Sequence, residues 1–238
     1  MLTRNHYKPW IPRAYIFVFM VIQSNFAAAA ESNYETYPLR INTESFRPPT
    51  TANGLEADIL RSAKYMNERT ESQCQRAESQ ASLSFNIFRD EPNLLTKEEA
   101  DLLEPLYDEV FHNTDIYVHE IKRKWDRLRP FQGEIRIKNI EYKIEKCIRS
   151  HSSSSYISGH SAIGRAAANI FSVLLPNKAE ALRALGNDIG ENRILAGVHY
   201  LSDVEDGRKM GDIVVRELLK SPAFRKKLDD LKEKLKRL

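Results

Sequence analysis

Three separated clusters of residues have the types and spacing to hold and transfer a phosphoryl group: Lys122 with Arg129 and Pro130, Ser158 with Gly159 and His160, and Arg193 with His199 and Asp203. A highly charged oxyanion needs several fixed donors. Phosphoryl transfer is catalysed mainly by positioning and charge neutralisation, so three cations beside a helix-start serine and glycine are fitting parts. The two histidines supply the chemistry. Asp203 follows His199 by four residues, a spacing that lets its carboxylate accept from Nδ1 and leaves Nε2 as a lone-pair nucleophile. Each cluster alone has a plainer reading. The stretch from Lys122 to Arg129 also holds Arg123, Lys124 and Arg127, the composition of a solvated basic face, and a histidine within Ser-Gly-His-Ser is commonly a cap or surface residue. His199 and Asp203 are also metal-ligand types, but no HExxH pattern is present and three cations would repel a divalent ion, so no metal is expected.

The elements that carry these groups are helical. Ser158 stands where a helix N-cap is wanted, Gly159 lets a ligand approach the backbone, and the first-turn N–H groups favour an anion, with His160 pointing into the same space. Lys122 and Arg129 are two helical turns apart, which on a continuous helix projects them from one face about 10 Å apart along the axis, and Pro130 ends that helix. Nearly every segment from Leu55 onward has helical spacing, and no pair of alternating strands flanks a tight turn. The predicted fold class is all-α, a single helical bundle over residues 54–238 behind an extended arm over 31–53. Leu55, Ile59, Ala63 and Met66 mark a first helix that runs on toward Cys74, Ala77 and Ala81. Thr96 with Glu99 reads as a capping box opening a long helix striped by Leu103, Leu106, Val110, Tyr117, Ile121, Trp125 and Leu128, with a kink or break at Pro105. Phe131 to Tyr156 reads as a charged connection. Helices are then predicted from Ser158 to Pro176 and over 178–195, and Ser202 with Glu205 reads as a second capping box leading to Ile213, Val214 and Leu218. In the tail Phe224, Leu228, Leu231, Leu235 and Leu238 trace an amphipathic helix, expected to pack on the parent domain and to be the one place for any membrane contact.

Residues 1–30 are read apart from the rest. Arg4, Lys8 and Arg13, an apolar stretch from Ala14 to Ile22, and small residues at Ala27 to Ala30 have the layout of a secretory signal peptide. A membrane anchor needs about 20 apolar residues in a row, and this stretch stops at Gln23, Ser24 and Asn25. Cleavage after Ala29 or Ala30 makes the protein periplasmic or secreted. It also removes three of the 36 Lys plus Arg and no acidic residue, leaving 33 against 33 Asp plus Glu. A mature chain near neutrality gives no support to nucleic-acid binding. Cys74 and Cys147 are the two cysteines, and in an oxidising compartment one disulfide is expected, two buried free thiols being the alternative.

Written together, Lys122-x6-Arg129-Pro130, Ser158-Gly159-His160 and Arg193-x5-His199-x3-Asp203 resemble the signature of the type 2 phosphatidic acid phosphatase superfamily, which also contains the vanadium haloperoxidases. The context at Arg129-Pro130-Phe131, Ser155-Tyr156, Ser202-Asp203-Val204 and Pro222-Ala223-Phe224 is most similar to the bacterial class A non-specific acid phosphatases, from about Phe46 onward. The resemblance implies an exported acid phosphatase acting on small phosphate monoesters without metal or cofactor. His199 would attack phosphorus in line to form a phosphohistidine, and His160 would protonate the leaving oxygen and then activate water. Asp203 would orient His199, while Lys122, Arg129, Ser158, Gly159 and Arg193 hold the phosphate oxygens. A homo-oligomer is also implied. Two positions depart from the family's pattern: Ile157 stands for proline, which loosens the start of the helix, and Asn192 stands for serine and keeps a hydrogen-bonding side chain. Alternatives are a lipid phosphate or isoprenyl diphosphate phosphatase, a vanadate-dependent peroxidase with His199 binding vanadium, and a protein that binds phosphate without turnover. His112, His119 and His151 show no partner pattern and are expected on the surface, with His151 beside the serine loop shaping substrate access.

Overall fold

Small residues set the centre of the fold. Helix α5 (Gly159–Leu174) carries Ala162, Gly164 and Ala166 to Ala168 on buried faces, and it packs between α6 (Ala179–Leu195) and α7 (Leu201–Leu218). The approach to α6 is close enough that a Cβ built on Gly186 would lie 2.5 Å from Ala168 Cβ and 2.9 Å from the Gly164 carbonyl oxygen. Any larger residue there would push the two helices apart. In this computed structural model the described residues are 34–50, 52–132, 135–137, 140–142, 144–149 and 153–238, and those from Tyr34 onward belong to one unit. The predicted leader and its cleavage site, and His151, lie outside the described residues.

The remaining helices are α1 (Ala52–Asn67), α2 (Glu71–Ser79), a single turn α3 (Asn86–Arg89), α4 (Lys97–Lys124) and α8 (Pro222–Leu235). The fold is thus helical, as expected. Thr96 and Glu99 form the predicted capping box of α4, and Pro105 lies inside that helix without ending it. The first helical stretch is divided. Thr70 and Gln73 form a capping box of their own and start α2 afresh, which is why the apolar spacing does not run through as one helix. The connection from Phe131 to Tyr156 contains a two-stranded antiparallel hairpin, β1 (Ile135–Ile137) with β2 (Ile140–Tyr142), in which Arg136 faces Glu141 in register. Strands of three residues are too short for alternation to stand out in sequence.

The arm over 34–50 is docked. Tyr37 and Phe46 are buried, the Tyr37 N–H donates to Asn113 Oδ1 at 2.9 Å, and Trp125 Nε1 donates to the Phe46 carbonyl at 2.8 Å, so the arm lies along α4. The tail helix α8 buries Phe224 and Leu228, and Phe224 meets the Tyr37 ring edge-on at 5.3 Å. No helix among the described residues is long and apolar enough to cross a membrane.

Cys74 of α2 is bonded to Cys147, 73 residues away, the pairing expected from the sequence. Closing a loop of 73 residues restricts the unfolded chain by about 4 kcal/mol on the chain-entropy model. Replacing both cysteines by serine is therefore expected to lower Tm by roughly 10 °C in thermal unfolding. An unchanged Tm would show that the bond adds nothing to stability.

Candidate active site

The three clusters meet around one cavity of about 540 Å³, whose lining includes Lys122, Arg129, Gly159, His160, Arg193 and His199. Their convergence does not come from a shared helical face. Helix α4 ends at Lys124, so Lys122 projects from its last turn while Arg129 lies beyond it, in a non-helical stretch that returns toward the cavity. The expectation of two turns of continuous helix is corrected on this point: Trp125, at φ −122° and ψ 98°, breaks the helix first. Ser158 is the N-cap of α5 as predicted, its Oγ accepting from the Ser161 N–H at 3.3 Å. Its side chain is fully buried behind the cavity wall rather than lining it. Gly159 does face the cavity, and a Cβ there would meet only Val118 Cγ1 at 3.5 Å, so the space beside its backbone is open to a ligand.

Arg193 lies in the last turn of α6, and a turn at Gly197, with φ +75°, brings the chain back so that the Val198 and His199 N–H groups both donate to the Arg193 carbonyl, at 3.1 and 3.2 Å. A side chain at Gly197 would be strained in that conformation. His199 is thereby fixed just before α7. Asp203, in the first turn of α7, accepts from the Tyr200 N–H at 2.9 Å, so this carboxylate itself caps the helix. The predicted Ser202–Glu205 capping box does not form: Ser202 instead hydrogen-bonds Asp58, and Glu205 pairs with Arg61.

The geometry around His199 assigns its tautomer. Nδ1 is 3.3 Å from Asp203 Oδ2, which can only accept, while Nε2 is 3.2 Å from Arg129 Nη1, which can only donate. Nε2 therefore carries the lone pair and faces the cations of the cavity. Burial first, and then the charges of Arg129 and Lys122, push the imidazole down to about 3 against the pull of Asp203. His160 is held well below its usual range by burial, Arg193 and His199, and its Nε2 lies 3.1 Å from the Ala81 carbonyl. Lys122 is pushed down to about 8 by burial and by Arg129, and its Nζ donates to the Ser154 carbonyl at 2.5 Å. Arg193 is almost completely buried and donates through Nη2 to the Ala77 carbonyl. Its Nε is a buried donor with no partner among the described residues. Such a donor costs about 1–3 kcal/mol unless a ligand oxygen meets it.

Two residues without an assigned role in the sequence reading hold this arrangement. Arg127 donates to Asp203 Oδ1 at 2.7 Å and to Asp58 Oδ2 at 2.6 Å, and its guanidinium lies 4.0 Å over the Tyr200 ring. Ser155 Oγ donates to Asp203 Oδ2 at 2.5 Å. Burial alone would raise the Asp203 carboxyl, but the hydrogen bond from His199, the charge of Arg127 and the hydroxyl of Ser155 bring it down to about 2. Asp58 also accepts from the Ser202 N–H at 2.9 Å, tying α1 to the start of α7. Asp58 and Arg127 are 69 residues apart, and the one local signal was an acidic residue beside the apolar stripe of α1. Asp115 and His119 also line the cavity, seven and three residues before Lys122 on α4, so His119 has a partner where none was expected. His112 contacts Thr36 of the arm. The two departures from the expected pattern are both accommodated. Ile157 is fully buried, its peptide bond to Tyr156 is cis, and the start of α5 is held by the Tyr156 hydroxyl on Asp206 at 2.6 Å and the Ser158 N–H on the Asp203 carbonyl at 2.9 Å. Asn192 Nδ2 donates to Gln80 Oε1 at 2.8 Å. No group of three or more His, Cys, Asp or Glu among the described residues has a metal-holding arrangement.

Residues 110–226, which span all three motifs, match the PAP2 superfamily. The chain carries a PAP2 superfamily domain. A non-specific acid phosphatase of Providencia stuartii is 27% identical over 150 residues, covering 60% of this chain and 57% of that protein. A non-specific acid phosphatase of Salmonella typhimurium is 38% identical over 81 residues, 34% of this chain and 32% of that one, and an acid phosphatase of Zymomonas mobilis is 30% identical over 116 residues, 49% and 43%. The chain therefore matches these relatives over 32% to 57% of their own lengths. A solved transmembrane PAP2-type phosphatidylglycerolphosphate phosphatase from Bacillus subtilis is similar over 70% of this chain and 84% of that one, at 18% identity and a TM-score of 0.47.

The buried dyad couples stability to pH. An imidazole held at about 3 in the folded chain against about 6.5 unfolded takes up its proton mainly on unfolding, so stability is full above about pH 6.5 and declines toward pH 3. Asp203, at about 2 rather than 3.8, adds a loss of the same sign below about pH 4. Tm is expected to fall between pH 6.5 and 4, less steeply in His199→Asn. Inorganic phosphate should recover several degrees by binding the folded state alone. Scanning calorimetry with and without phosphate checks both, and indifference to phosphate would count against an anion cage.

Proposed function

We propose that this protein is an exported phosphatase that hydrolyses phosphate monoesters through a phosphohistidine on His199, without a metal or other cofactor. The observation that carries this reading is the convergence of Lys122, Arg129 and Arg193 with the start of α5 on the lone pair of a buried imidazole, whose other nitrogen is held by a carboxylate. The acid phosphatase names of the Providencia, Salmonella and Zymomonas relatives favour monoesters over the lipid phosphate, isoprenyl diphosphate and peroxidase alternatives. The leader read in the sequence supports export to the periplasm or beyond, and we further propose a homo-oligomer on the resemblance.

The phosphate oxygens are taken by Lys122, Arg129, Arg193 and the Gly159 N–H, with Ser158 presenting that helix start. This leaves phosphorus in line with His199 Nε2. The N–P bond forms as the ester P–O bond breaks, and His160 gives its proton to the leaving oxygen. Water then attacks the phosphohistidine with His160 as base, releasing inorganic phosphate and the free imidazole. In the ligand-free site burial first, and then the cations, keep both histidines neutral, so the nucleophile is ready but the acid is not. An arriving dianion offsets those cations and raises His160, making protonation of the acid a consequence of binding substrate. Asp203 keeps Nδ1 protonated and supports the positive charge that develops on the ring.

Hydrolysis of p-nitrophenyl phosphate should persist in excess chelator, peak on the acid side of neutrality, and fall by about 10⁴-fold or more in His199→Ala. Activity indifferent to His199 would overturn the mechanism. Arg127→Lys keeps a charge between Asp58 and Asp203 but loses the fork that bonds both. Steady-state kinetics should show kcat lowered about 10- to 100-fold with KM little changed, because Asp203 is held less firmly.

A further inference from the structure

Helix α4 lines one side of the cavity over three turns leading away from Lys122. His119 lies one turn before Lys122, Asp115 two turns and Phe111 three, and all four line the cavity. At 1.5 Å per residue, Asp115 stands about 10 Å along the axis from Lys122. Asp115 is the sole acidic side chain among the described residues lining a cavity otherwise furnished with Lys122, Arg129, Arg149 and Arg193. A carboxylate there helps Lys122 keep its proton but itself repels a phosphate. Its side chain is one-third exposed and lies 3.3 Å from His119 Nε2, and its charge also acts on Lys122. Phe111, four residues away on the same face, adds an aromatic ring to the cavity lining. A carboxylate beside an aromatic face is the chemistry that receives an ammonium group.

We propose that Asp115 and Phe111 form a leaving-group subsite for a cationic amine, so that the cavity selects phosphate monoesters whose alcohol carries an ammonium group. The proposal rests on the phosphatase reading and adds its substrate class. The phosphate engages Lys122 and neutralises it, and the amine reaches Asp115 further out. His119 is the resident partner that the amine displaces. A leaving group ending in a methyl loses the carboxylate contact, and one ending in a carboxylate meets repulsion.

The test measures phosphate release from ω-aminoalkyl phosphates of two, four and six carbons beside alkyl phosphates of equal length, using the full mature protein. The readout is the ratio of kcat/KM within each enzyme, so a change common to both esters cancels. The wild type should favour the amine by about 3- to 10-fold at one or more of the longer lengths. Asp115→Asn should bring that ratio to about 1, and His119→Asn, which frees the carboxylate, should raise it. A wild-type ratio near 1 at every length, or a preference that survives in Asp115→Asn, overturns the subsite. If the wild type hydrolyses p-nitrophenyl phosphate but shows no preference, the subsite alone is lost. If it hydrolyses no ester, the phosphatase reading falls and the subsite with it.

Discussion

A single fully buried carboxylate, Asp203, joins the parts of the molecule that have to agree. It receives hydrogen bonds from His199, Arg127, Ser155 and the Tyr200 N–H, and its own carbonyl receives the Ser158 N–H. These donors come from the stretch after α4, the loop before α5 and the start of α7. Arg127 extends the connection through Asp58 to α1. A buried charge is tolerable only when its lone pairs are met, so the stability of this residue requires the same geometry that orients the imidazole. Fold and site share one constraint here.

Around that anchor the site gathers several cations on one cavity. Holding Lys122, Arg129 and Arg193 there is unfavourable in the free protein: burial lowers the proton affinity of all three, and the charge of Arg129 lowers that of Lys122 further. The close packing of α5 between α6 and α7 resists relaxation of that crowding, because backbones in contact at Gly186 cannot spread without losing their fit. Preorganisation of this kind means the cage need not rearrange when an anion arrives.

Local signals were legible in the sequence where the interaction itself is local. Thr96 with Glu99 and the N-cap Ser158 act within one turn of helix, and the structure has them where the pattern put them. The amphipathic tail is equally plain, since its apolar spacing is set by the surface it must cover. Arg129 lines the cavity by a route other than the one its spacing suggested. Seven residues suggested two turns of helix, whereas the chain leaves α4 after Lys124 and reaches the cavity in extended form. The Ser202–Glu205 pattern misled because Asp203, one residue away, takes the capping role and draws Ser202 to Asp58. The Asp58–Arg127 pair was hidden for a different reason: nothing in a linear pattern reports a contact across 69 positions. His119 and Asp115 lay on the helical face already marked by Lys122, and the spacing that would have placed them was available.

The acceptors that α2 and the residues after it present to the site are main-chain atoms. Arg193 is met by the Ala77 carbonyl and His160 by the Ala81 carbonyl, while the Cys74–Cys147 bond pins the same stretch from the other side. A carbonyl has the same dipole whatever side chain its residue bears. This wall of the cavity therefore constrains the path of the chain more than its composition. The exposed side chains of that stretch, such as Gln75 and Ser79, can vary toward new surfaces while buried Ala77 and Gln80 stay in place and the two essential groups keep their partners. Variation of that kind is a means by which a fixed phosphate site can acquire different preferences without rebuilding its chemistry.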